Sequence, residues 1–197
     1  SMVASLLMSS DFAMNSRVAT ALAFGIKTDT LGFTRNFNAV DVRALLWINA
    51  WVDKDKLRAI EMPPRSIAAL ESFSNALSDK QQIDKLILAP VHNLTDRDSL
   101  AQIADFLLPT EGIDTVITYG LRRSKVILSV RSNKADFHVG KALSRAFPDG
   151  LAGGHKSLGG GQIPLDFFAQ QADLDEPHYH KIVMDRTKQL LEDIFTN

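Results

Sequence analysis

The 197-residue chain is 45% hydrophobic and 23% charged with a net charge of −1, a globular make-up with room for one large core or two small ones. That balance excludes binding nucleic acid through a global excess of base, so any anion must be met by a local patch. Cysteine is absent, which excludes disulfides and thiolate metal sites and suggests a reducing, cytoplasmic setting.

No apolar run approaches the roughly 18 residues of a membrane span, and the N-terminus lacks a signal-peptide layout. Ser1-Met2 reads as a vector scar before an internal start, so a longer parent protein is expected. Residues 2 to 52 read as helical. Asn15 is placed to cap a helix with Val18, Leu22 and Ile26 on one face and Ala19, Ala21 and Gly25 beside them. That helix is expected to end near Gly25-Ile26-Lys27-Thr28-Asp29-Thr30, a β-branched and polar stretch. Asn38 and Asp41 have capping-box spacing and open a helix with Val40, Ala44, Trp47, Ile48 and Trp51 inward. Asp53 starts a shorter helix, Pro63-Pro64 stop it, and another helix covers roughly 65–78. The polar seam Ser78–Gln82 is taken as the boundary between domains 1–80 and 81–197.

Beyond that seam the pattern is α/β. Leu86–Pro90 is a short buried strand, and Thr95 with Asp98 caps a helix whose stripe is Leu100, Ile103, Ala104, Leu107 and Leu108. Thr115–Tyr119 and Val126–Arg131 form a hairpin around a turn at Gly120–Ser124. Asp136 opens a helix ending at Pro148-Asp149-Gly150. A glycine-rich run, a strand near Gln162–Leu165 and a final helix over Pro177–Phe195 complete the chain. The expected fold is an N-terminal helical segment followed by a mixed sheet with helices packed on it.

Three places carry chemistry. The first is Leu151 to Gly161, where Gly153, Gly154, Gly159, Gly160 and Gly161 surround His155, Lys156 and Ser157. Such backbone can approach a ligand closely and converge N–H groups on an anion. It is not a P-loop, because Gly160 stands where Lys is required, and it follows a helix, which excludes a dinucleotide fingerprint. The second is the basic hairpin with Arg122, Arg123, Lys125, Arg131 and Lys134. Period-2 geometry groups Ile127, Ser129 and Arg131 on one face, so Ser129 and Arg131 point together at a site. Arg122, Arg123 and Lys125 are read as charges guarding a sheet edge. The third is Asp29, either a helix cap or a metal ligand, and one carboxylate alone does not make a divalent-metal site. His92, His138, His178 and His180 are read as surface residues without a role.

Ala19 to Thr30 resembles the fourth motif of the DHH phosphoesterase family. Leu128-Ser129-Val130-Arg131-Ser132, Gly153-Gly154-His155-Lys156 and Gly159 to Pro164 resemble that family's C-terminal DHH-associated domain, in the branch of oligoribonuclease, phosphoadenosine-phosphatase and exopolyphosphatase-related proteins. The resemblance implies a bilobal hydrolase with two Mn²⁺ ions in one domain and a substrate clamp in the other. It makes Asp29 a metal ligand, Arg131 a phosphate contact with Ser129 beside it, and Gly153, Gly154 and His155 the substrate loop. Short RNA or DNA oligonucleotides or nucleotide phosphates are the implied partners, with a homodimer allowed and no membrane.

The family's Asp-rich and Asp-His-His motifs do not occur in these residues. Two-metal hydrolysis is therefore expected of the parent and none of this polypeptide alone. A non-catalytic nucleotide- or RNA-binding module is the alternative. A purely structural or dimerisation domain is a third reading, which would leave the glycine run unliganded.

Overall fold

The structure, a computed structural model, describes residues 2–30, 32–34, 37–94, 96–148, 150–168 and 176–196. They fall into two compact units, Ser1–Pro64 and Arg65–Asn197.

The first unit is helical: α1 Met2–Met8, α2 Ser16–Asp29, α3 Ala39–Ile48, a 3₁₀ turn Asn49–Trp51 and α4 Lys54–Glu61. Local hydrogen bonds set the starts. The Asn15 side chain accepts from the Val18 N–H, Asn38 and Asp41 form the reciprocal capping box, and Asp53 accepts from the Lys56 N–H. The core is small-residue packing of Ala4, Ala19, Ala23 and Ala44 with Ile26 and Ile48. Val18 and Leu22, expected inward, are half-buried, because the alanine face lets the helices approach closely. Trp51 is 41% exposed and Val40 46%. Trp51 falls in the 3₁₀ turn, after the α-helical spacing that would have carried it inward has ended, though its ring still meets Trp47 at 5.8 Å.

Gly25 lies inside α2, exposed, and a Cβ built there meets nothing within 4 Å. Gly25→Ala should therefore stabilise the chain by about 1 kcal/mol, read as a higher midpoint in thermal unfolding.

The second unit contains α5 Ile67–Asp79, β1 Gln81–Ile83, β2 Leu86–Val91, α6 Asp98–Leu107, β3 Thr115–Arg122, β4 Lys125–Ser132, α7 Val139–Ala146, β5 Ala152–Gly154, β6 Leu158–Pro164, a 3₁₀ turn Leu165–Phe167 and α8 Glu176–Thr196. Helix α5, grouped with the N-terminal segment in the sequence reading, packs Ala76 in this unit against Ile87, Ala89 and Val91. The strands form one mixed sheet in the order β1-β2-β3-β4-β6-β5, parallel only between β2 and β3. The two faces bury alternate residues. Ile87, Ala89, Val116 and Ile127 pack toward α5 and α6. Leu88, Ile117, Val126, Leu128 and Val130 pack toward α7 and α8 with Val139, Leu143 and Leu191.

The expected cap Thr95 lies outside the described residues. At the start of α6, Asp96 Oδ1 accepts from the Ser99 N–H at 2.9 Å and its Oδ2 from the Ser99 hydroxyl at 2.7 Å. Two other boundaries differ from expectation. Helix α7 starts after His138, whose Nδ1 accepts from the Lys141 N–H at 3.3 Å, so Asp136 is not its cap. Gly120 is inside β3, and the turn is confined to Arg123 and Ser124.

The Ser99 hydrogen bonds hold the Asp96 carboxyl below the usual carboxylate range, outweighing the opposite effect of burial. A depressed folded value adds stability above the unfolded value, and that stability is lost as pH falls through the folded one. Asp96→Ala should cost about 1 kcal/mol at neutral pH and progressively less in acid, measured as urea midpoints down to about pH 2.

Candidate functional site

Strand β4 is central to its part of the sheet, and its alternation puts Ser129 and Arg131 on the face toward α6. Arg131 is held there in a defined fork. Its Nε donates to Asp105 Oδ1 at 2.6 Å, and its Nη1 donates to the Ser129 hydroxyl and the Val130 carbonyl, each at 3.1 Å. The side chain is only 18% exposed, whereas Asp105 is 60% exposed. The guanidinium is thus pre-positioned on one edge, with Nη2 outside this set of bonds.

Beside β4 runs the glycine hairpin. The run expected as a loop is two strands, β5 and β6, with Gly160 opposite Ser129 and Gly153 opposite Gly160 in one cross-strand row. The reason is packing on the other face. A Cβ at Gly140 in α7 would overlap the Gly154 carbonyl, one at Gly154 would overlap the Leu158 carbonyl, and one at Gly159 would lie 2.7 Å from Leu143 Cδ1. The glycines let helix and hairpin touch backbone to backbone.

On the α6 side of this unit, β4 and the hairpin face the start of α6. A groove of about 730 Å³ lies there, lined by Arg97 just before α6 and Asp98 and Ala101 within it, by Lys125, Ser129 and Arg131 of β4, and by Gly153, Gly154, Gly160 and Gly161 of the hairpin. Its floor around Gly153, Gly160 and Gly161 lacks side chains, so a ligand can reach main-chain groups.

His155 does not line this groove. It is exposed, and its loop is tied down by main-chain bonds: Gly140 N–H to the His155 carbonyl at 2.9 Å, Val139 N–H to Lys156 at 3.0 Å, and Ser132 N–H to Ser157 at 2.9 Å. The first N–H groups of α7 are therefore taken by this loop. Asp29 belongs to the other compact unit. It is the last residue of α2 and exposed, and Thr30 closes the helix through its hydroxyl bond to the Ile26 carbonyl at 2.8 Å. The cap reading fails for Asp29: a carboxylate at a helix C-terminus meets the negative end of the dipole.

Residues 84–176 match the DHHA1 domain. This is the DHH-associated domain to which the sequence resemblance points. The chain is 32% identical over 168 residues to the uncharacterized protein MJ1633 of Methanocaldococcus jannaschii, covering 85% of this chain and 34% of that protein. Its fold is similar to an exopolyphosphatase-related protein from Bacteroides fragilis, with a TM-score of 0.61 at 16% identity over 91% of this chain and 52% of that one. The chain thus spans about a third of the archaeal relative and about half of the bacterial one.

Within the matched residues, Ser129, Arg131, Gly153 and Gly154 come together in the groove, as the sequence pattern implies, and His155 stands beside it. Sequence reading missed Asp105, Arg97 and Lys125 as groove residues. Lys125 was assigned to guarding an edge, but β3 and β4 are paired on both sides and have no free edge. Among the described residues no cluster of three or more His, Asp or Glu side chains is placed to hold a metal ion. The donors present around Asp29 do not make up a two-ion centre.

Proposed function

We propose that the groove of the DHHA1 domain binds the phosphate groups of a short oligonucleotide or nucleotide phosphate, as the substrate-holding part of a phosphoesterase. The supporting observation is Arg131, fixed by Asp105, Ser129 and a main-chain carbonyl beside a floor of glycines. A rigid guanidinium suits paired phosphate oxygens, and Lys125 and Arg97 add charge at the groove. His155, at the end of β5, is proposed to reach a substrate longer than one phosphate. Asp29 is proposed as one ligand of a Mn²⁺ centre that needs further carboxylates and imidazoles, so this chain alone hydrolyses nothing. A cytoplasmic setting fits the absence of cysteine.

The test uses a 5′-phosphorylated diribonucleotide. This chain should bind it without cleaving it, with affinity that falls as salt rises, and the longer parent with Mn²⁺ should release mononucleotide. Binding by the chain with no cleavage by the parent would favour a non-catalytic nucleotide-binding module. No binding at low salt would sink both readings.

A further inference from the structure

A second recess lies in the same unit, between the ends of β2 and β3 and one side of α8. Its volume is about 570 Å³, and it shares no lining residue with the groove. That volume is within the range of small-molecule sites and well above what one inorganic anion needs.

One of its cations, Arg123, is placed at a structural cost. Arg123 occupies the two-residue turn between β3 and β4 at φ 55°, a conformation that glycine, asparagine or aspartate adopts far more easily than arginine. Edge protection does not account for it, because β3 is flanked by β2 and β4. Asn93, just past β2, is also left-handed at φ 54° and lines the same recess. From α8 come Lys181, Met184 and Asp185, on one helical face. Among the described residues neither Arg123, Lys181 nor Asp185 has an ion-pair partner, although Lys181 and Asp185 have the spacing to pair. Two unpaired cations, one unpaired carboxylate and an apolar wall of Leu121 and Met184 therefore line one recess.

We propose that this recess binds a hydroxylated phosphate ester of nucleotide size. Arg123 and Lys181 hold the phosphate, Asp185 accepts from a hydroxyl, and Leu121 and Met184 cover the apolar part of the ligand. The proposal is independent of the groove's function, because the two sites have separate residues.

The experiment follows amide shifts and calorimetry of the full chain titrated with AMP, in an Arg131→Ala background that weakens the groove, with recess shifts read separately from groove shifts. Saturable binding is expected, with shifts at Asn93, Leu121 and Lys181. Adding Arg123→Gly should weaken it at least tenfold while leaving the thermal midpoint equal or higher, since glycine suits the turn. Lys181→Ala should weaken it similarly, and adenosine without phosphate should bind at least tenfold more weakly. Unchanged AMP affinity in the folded Arg123→Gly chain, equal affinity for adenosine, or no shifts around the recess would each overturn the proposal.

Discussion

Arg131→Ala should lower the affinity of the chain for a 5′-phosphorylated diribonucleotide by about tenfold to a hundredfold, the loss of one or two charge-assisted hydrogen bonds of about 1.5–3 kcal/mol. The same change removes bonds to Asp105, Ser129 and the Val130 carbonyl. Asp105 is mostly exposed and rehydrates easily, so the fold should lose only about 1–2 kcal/mol. Arg131→Lys separates charge from geometry. A lysine keeps the positive charge but cannot bridge Asp105 and Ser129 while presenting a flat face to phosphate. It should therefore rescue only part of the affinity. Calorimetry on both variants beside a urea melt decides the matter: a full rescue by lysine would mean that the groove offers a point charge and no fork.

Gly140→Ala should be among the most damaging single substitutions in the second unit. Its new Cβ would overlap the Gly154 main chain, which no rotamer change relieves. Either α7 moves off the hairpin, uncovering Val139 and Leu143, or β5 detaches from β6. We expect a loss of about 2–4 kcal/mol, seen as a large drop in the thermal midpoint. Phosphate binding should weaken too, because Gly153 and Gly154 form part of the groove. Gly25→Ala in the same experiment goes the opposite way, since its Cβ meets nothing. An unchanged midpoint in Gly140→Ala would mean that α7 and the hairpin are not in backbone contact.

The contrast between these two glycines shows what a sequence carries. Helix starts that rest on a side chain reaching its own neighbours were legible: Asn15, Asn38 with Asp41, and Asp53 all cap as their spacing implies. The hairpin β3–β4 and the shared face of Ser129 and Arg131 followed from strand alternation alone. The glycine run did not read as strands, because glycine disfavours strands on its own. It is strand only because α7 needs bare backbone against it, a contact between distant segments. Strand β1, three residues long and mostly polar, carries no pattern at all. Asp105 was equally hidden, since the fold brings it from α6 to a strand 26 positions away. The basic turn was misread for a related reason. Whether β3 and β4 have a free edge depends on β2 and β6, which local sequence does not reveal.

The most direct measurement is an amide-shift titration of this chain with a 5′-phosphorylated diribonucleotide at low salt. Binding in the groove predicts saturable shifts at Ser129, Arg131, Gly153, Gly154, Gly160 and Gly161, reduced by added salt and moved to at least tenfold higher ligand concentration by Arg131→Ala. Saturation with those six amides unmoved would contradict the assignment of the groove as the phosphate site.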